Sequence, residues 1–308
     1  MRGWWQEIAG LVLPAVCGGC GVLRTPLCEG CVHELYGSAA RRARPAPEPR
    51  GLPVVYAAAP YADEVRALLI AHKERGALGL ARPLGVALAG AVRAAVVASQ
   101  EAAGPLLLVP MPSARRAVRA RGHDPARRIA LAAARELRRG GLESRVLPVL
   151  RQQREILDQA GLTAAQRAQN LAGALEVAPG SRRLLEGGRA VLVDDLMTTG
   201  ASLTEAARAI RGSMGGAGVS GFRSGSGSRG GGGGSVGFPA SGSLASPTAP
   251  LGANDDPRPV GGAWIGRASM SNDGDRIETG GTGALSGFTQ LCAAVVAAPA
   301  VSLEIERN

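Results

Sequence analysis

Between residues 54 and 211 the chain alternates short aliphatic and β-branched runs with longer Ala-rich stretches whose apolar positions recur at helical spacing. The runs at 106–111, 145–150 and 190–194 predict strands, and the stretches at 62–72, 80–99, 126–138 and 202–211 predict helices. Strands alternating with helices in this way make βαβ units, so the predicted class is α/β with a largely parallel sheet flanked by helices. The pattern stops at 212. Residues 212–290 hold 23 of the 45 glycines and 12 serines, with Gly230 to Gly234 unbroken. Such a segment cannot bury enough apolar surface to order itself, and it reads as a disordered insertion in a helix-to-strand connection. A faulty reading frame accounts for the same composition equally well. Residues 291–298 are again apolar throughout and predict a buried strand that resumes the fold.

A length of 308 residues is ample for a core, at a prior of roughly 150 residues per domain. The division that composition suggests is 1–50, holding four of the five cysteines and ending in an Arg/Pro run read as a solvated linker, then 51–211 plus 291–308, with 212–290 set apart. The apolar run near the start, 8–23, is broken by Pro14 and four glycines and falls short of the roughly 18 apolar residues a bilayer span needs, so no membrane span is expected. Glu7 and Val16 argue against a cleaved export signal, so the expected location is the cytoplasm. There, paired cysteines serve as metal ligands more often than as disulfides.

Cys17 and Cys20, then Cys28 and Cys31, form two C-x2-C pairs separated by seven residues. Two such pairs can share one tetrahedral ion, and four thiolates suit zinc in a closed, structural site. The spacing predicts a zinc ribbon whose seven-residue spacer is a tight hairpin, and the competing reading is a set of buried or redox-active thiols. Cys292, inside the last predicted strand, reads as a core residue.

Residues 190–202 carry the strongest chemistry. An apolar strand ends in Asp194 and Asp195, and a hydroxyl-rich turn containing Thr198, Thr199, Gly200, Ala201 and Ser202 opens a helix. A turn of that kind at the carboxyl end of a parallel strand aims unpaired backbone N–H groups at one spot, which suits a phosphate. The two carboxylates would repel a bare phosphate, so they ask for ribose hydroxyls or a divalent metal. Together these point to a phosphorylated sugar. The plainer alternative, a helix cap, uses one Asp and one Thr and leaves the rest of the pattern unexplained.

This segment resembles the phosphoribosyl pyrophosphate (PRPP) signature of type I phosphoribosyltransferases. The four cysteines, Leu68 to Lys73, Val109-Pro110-Met111-Pro112, Arg121-Gly122-His123-Asp124 and the stretch containing Arg154, Asp158, Gln159, Leu162, Arg167 and Asn170 together resemble the ComF family, in that family's order over 10–211 and 291–308. The resemblance implies a type I phosphoribosyltransferase-like sheet with a small N-terminal zinc ribbon and hood, the hood being built by the ribbon and residues 54–80. It also implies PRPP binding with Mg²⁺, transfer of the phosphoribosyl group to an acceptor with loss of pyrophosphate, and Asp194 and Asp195 as the catalytic pair. Gln159, Arg167 and Asn170 would belong to a mobile loop that excludes water. The chain departs from the family at 212–290 and at Ile156, where family loops often carry Thr.

Net charge is +10, from 35 basic residues against 25 acidic ones, and Lys73 is the single lysine. Residues 115–154 hold twelve arginines against three acids. Lys73, Arg115, Arg116 and Arg121 are candidates for the pyrophosphate side, where an arginine fork suits the ligand, and most of the remaining arginines read as solvated helix faces. His72 and His123 have no nucleophile near them in sequence, so no triad is expected. A second reading is a competence-associated module that binds single-stranded DNA, with the PRPP site regulatory or inactive. The shortage of aromatic residues, three each of Trp, Tyr and Phe, argues against it. A third is a product whose sheet the 212–290 segment has broken.

Overall fold

The protein is described as a computed structural model covering residues 15–99, 104–154, 166, 170–215 and 291–304. Residues 155–165, 167–169 and 216–290, with Gln159 and Arg167 among them, lie outside the described residues. Six strands form one sheet in the order β1 (Arg41–Ala43), β2 (Val54–Pro60), β8 (Cys292–Ala298), β7 (Arg189–Leu196), β3 (Leu106–Pro110), β4 (Ser144–Val146). All neighbours are parallel except β1 against β2. The α/β class and mostly parallel sheet expected from the pattern are therefore present.

Side chains alternate between the two faces of the sheet, as a period of two requires. Leu106, Leu108, Val191, Val193, Ala294 and Val296 join the core beneath helices α2 (Asp63–Glu74), α3 (Ala81–Ala98) and α5 (Pro125–Arg139). Val109, Leu192, Ala293 and Val295 face α7 (Ala201–Gly215), which contributes Leu203, Ala206 and Ile210. With cover on both sides, every residue of β8 is buried, which is why its sequence reads as an unbroken apolar run. The stretch Leu78–Ala98 is long and apolar enough by composition to cross a membrane, with a window of mean hydropathy 1.5. It lies on the sheet and against α5, with Leu84, Leu88 and Val92 fully buried.

Four sequence expectations change. Residues 41–43 are not a solvated linker: β1 pairs with β2 in the register Arg41 to Ala57 and Ala43 to Val55, and Ala43 is buried. The predicted strand 145–150 is two strands, because Pro148 has no N–H for the ladder. Residues before it extend the large sheet as β4, while β5 (Leu150–Gln152) pairs antiparallel with β6 (Leu175–Val177) in a separate ribbon. Residues 54–60 form an inner strand and so cannot belong to a hood. Helix α7 runs four residues past its expected end, to Gly215.

Candidate functional site

The four cysteine sulfurs come together within 4.8 Å of one another. Cys17 Sγ lies 3.6 Å from Cys31 Sγ, and Cys20 Sγ lies 3.5 Å from Cys28 Sγ. A tetrahedron with metal–sulfur bonds of ~2.3 Å has edges of ~3.8 Å, so the cluster can hold a zinc ion. The first pair sits in a turn closed by the Cys17 N–H donating to Val22 O at 2.8 Å. The second pair opens a helix, with Cys28 as the N-cap of helix α1 (Glu29–Tyr36) and Cys31 in its first turn. Burial pushes the Cys17 thiol up, but the N–H groups of Cys28, Gly19 and Cys20 outweigh it and hold the pKa at about 6. Burial and the neighbouring sulfurs raise Cys31 instead, so of these two thiols Cys31 is the one that keeps its proton. Cys17, Cys31 and Leu35 share one core with Leu68, Leu80 and Leu84, which fixes the cluster to α2 and α3.

The second cluster forms where β3 and β7 end side by side, with Pro110 paired to Val193 and the Met111 N–H donating to Val193 O at 2.9 Å. Consecutive strand residues face opposite ways, so Asp195 points toward the α2 side. There Lys73 Nζ donates to Asp195 Oδ2 at 2.8 Å, from 122 residues earlier in the chain. Asp194 Oδ1 accepts the Asp195 N–H at 2.8 Å. A cleft of about 470 Å³ is lined by Lys73, Arg121, Asp194, Asp195, Thr198 and Ser202. Burial and the adjoining Asp195 charge raise the Asp194 pKa well above the carboxylate range, with Lys73 opposing. Burial disfavours the charged Lys73, but Asp195 and Asp194 outweigh it and hold the ammonium above its usual range.

Beyond Asp195 the chain turns into α7. Gly200 has φ +75, and a Cβ there would lie 3.0 Å from Leu52 Cδ1. The glycine is thus required by its left-handed backbone and by Leu52, not by an approach from the cleft. Thr204 Oγ1 donates to Gly200 O at 3.0 Å, closing the first turn. The leading amides of α7 have no acceptor within the helix. Glu205, one turn further on, is buried and accepts the Leu175 N–H at 3.1 Å and Arg208 Nε at 2.7 Å. This ties β6, and with it Leu175 in the cleft wall, to α7.

The sequence candidates do not all meet. Arg121 lines the diacid cleft and donates to Glu74 Oε2 at 2.9 Å. Arg115 and Arg116, on helix α4 (Arg115–Arg121), line a neighbouring cavity of about 780 Å³. Thr199, Gly200 and Ala201 form the turn behind Thr198 and Ser202 and do not line the cleft. Of the loop candidates only Asn170 is described, and its carbonyl accepts from Arg154 at 2.8 Å. His72 and His123 are both buried and line neither cavity. His123 Nε2 lies 3.1 Å from His72 O and Nδ1 lies 3.2 Å from Arg121 O, so the imidazole bridges the end of α2 and the turn before α5. Burial lowers the His72 pKa, assisted by His123 and opposed by the Ala77 carbonyl. Sequence reading missed Ser113, which lines both cavities and donates to Asp124 Oδ1 at 3.1 Å, and Gln152, which also lines both. A proline-flanked serine after a strand carries no signal of its own.

No protein-family model matches the chain, and no curated protein matches it.

Proposed function

We propose that the protein binds PRPP with Mg²⁺ in the diacid cleft and transfers its phosphoribosyl group to an acceptor, in the manner of the ComF family it resembles in sequence. The observation that carries this reading is the convergence of Asp194, Asp195, Lys73, Thr198 and Ser202 in one cleft. That cleft lies outside the carboxyl ends of two parallel strands, where open α/β sheets bind their ligands.

The residues divide the work by charge. The α7 amides with Thr198 and Ser202 suit the 5′-phosphate. Lys73 engages one oxygen of Asp195, which leaves carboxyl oxygens of the pair for the ribose hydroxyls and for the cation that accompanies pyrophosphate. When bound, Mg²⁺ supplies charge neutralisation on the departing pyrophosphate. As the bond from the anomeric carbon to pyrophosphate oxygen breaks, its electrons leave with the pyrophosphate. The acceptor's nucleophilic atom then forms the new bond to that carbon. Arg121, held by Glu74 beside Lys73, meets the charge that develops on the leaving group.

Calorimetric titration of PRPP with Mg²⁺ into the zinc-loaded chain tests this reading, with Asp194→Asn beside it. Micromolar binding that disappears in the variant is expected. A wild-type chain that takes up no PRPP, or a variant that binds it equally well, rejects the assignment.

A further inference from the structure

We propose that the 780 Å³ cavity between α4 and the β5–β6 ribbon is an anion-binding acceptor subsite, taking a compact ring that carries a carboxylate or phosphate. As an acceptor site it rests on the PRPP reading, whereas its capacity to bind anions does not.

Three observations carry it. The cavity adjoins the diacid cleft, sharing Met111, Pro112, Ser113, Ala114 and Gln152 as a common wall. A ligand seated there lies next to the place assigned to the sugar, and the size falls within the roughly 300–1,000 Å³ of ordinary small-molecule sites.

Its charge is one-sided. Arg115, Arg116 and Arg119 line it and, among the described residues, have neither an ion pair nor a hydrogen bond. The two acids in the lining are already engaged. Glu176 accepts Arg151 Nε at 2.5 Å and also Gln153 Nε2, and Asp124 Oδ1 accepts Ser113 Oγ at 3.1 Å and the Arg127 N–H at 3.2 Å. With Arg151 and Arg154 the lining holds five arginines against these two carboxylates, so positive charge is in excess, and the planar forks of Arg115, Arg116 and Arg119 suit carboxylate and phosphate oxygens.

The lining is apolar between the charges, with Pro110, Pro112, Val118, Pro148 and Leu150. An arginine face that served only to hold water would not need that surface. Apolar surface beside unpaired arginines fits a flat ring bearing an anionic group better than it fits inorganic phosphate. The few aromatic residues in the chain also weigh against stacked bases of a nucleic-acid strand.

The test uses phthalate and phenyl phosphate as probes, with phthalamide and benzyl alcohol as neutral counterparts, titrated into the zinc-loaded full chain at low salt. Binding of at least one anionic probe is expected, with a loss of tenfold or more in the double variant Arg115→Gln/Arg119→Gln. Both side chains are exposed, and zinc content with far-ultraviolet circular dichroism confirms that the variant is folded. Asp194→Asn is the separating arm: probe binding persists there whether or not PRPP binds the wild type. No binding of either anion, neutral counterparts that bind equally well, an arginine variant within twofold of wild type, or loss of the probes in Asp194→Asn overturns the proposal.

Discussion

Replacing Asp194 by Asn should make the ligand-free protein more stable, although the same change is expected to remove PRPP binding. Asp194 and Asp195 are consecutive, and among the described residues the cation paired with them is Lys73, 2.8 Å from Asp195. For two charged carboxylates on adjoining residues, roughly 4–8 Å apart at an effective dielectric of ~20, the repulsion is about 2–4 kcal/mol. Lys73 offsets part of this, and its side chain is 41% exposed, so solvent weakens its contribution too. A net gain of about 1–2 kcal/mol is left for the neutral amide, which keeps an oxygen to accept the Asp195 N–H. In a chain of this size that corresponds to a rise in melting temperature of roughly 3–6 °C. The pH dependence follows from the raised pKa of Asp194. The wild-type contribution is complete below the ordinary aspartate value of 3.8 and is lost as pH rises from there through the folded-state value. The advantage of Asn should therefore be least in acid, near the ordinary aspartate value of 3.8, and grow as pH rises. Scanning calorimetry of both proteins with zinc and without PRPP measures it. An Asn variant that melts at or below wild type at the higher pH refutes the reasoning.

Two further outcomes follow from packing and the cysteines. Purified protein should contain one zinc per chain by elemental analysis, and Cys31→Ser or a chelator should lower the melting temperature, because Cys17 and Cys31 lie in the same core as Leu35, Leu68 and Leu80; a zinc-free chain indifferent to chelator contradicts this. In α3, a Cβ at Gly85 would press on Ala132, whose carbonyl carbon would lie 2.9 Å away, whereas Gly90 has nothing within 4 Å. Gly85→Ala gains about 1 kcal/mol of helix propensity and loses about 1–3 kcal/mol to overpacking. Urea unfolding should accordingly show Gly85→Ala destabilised and Gly90→Ala stabilised, and equal midpoints would remove the argument.

The parts of the fold that sequence reveals are those whose local pattern matches their final surroundings. β8 reads as a buried strand because it has neighbours on both edges and helices on both faces, leaving no position for a polar residue. The β7-to-α7 turn is legible for a similar reason, since apolar strand, paired acids, hydroxyls and glycine follow one another within thirteen residues. β1 escapes because it is held chiefly by backbone pairing, and Arg41 and Arg42 leave only Ala43 to be buried. The split at Pro148 is visible afterwards in the proline, but the partner strand β6 begins 23 residues after β5 ends. The candidate site divides along the same line. Asp194, Asp195, Thr198 and Ser202 stand together in sequence, whereas Lys73 reaches them across 122 residues and Arg115 and Arg116 turn out to face another cavity. Spacing alone cannot choose among twelve arginines.

β8 has a consequence in time. It sits between β2 and β7 and pairs with both, yet it follows them in the chain after the interval 216–290. At ~5–20 residues per second, those ~75 residues take the ribosome about 4–15 seconds. Throughout that interval β2 and β7 exist with facing edges unpaired, and such edges readily recruit other chains. The last strand made closes the sheet, so yield in the cell should depend on how quickly translation passes through the glycine-rich codons, even where the finished protein is stable.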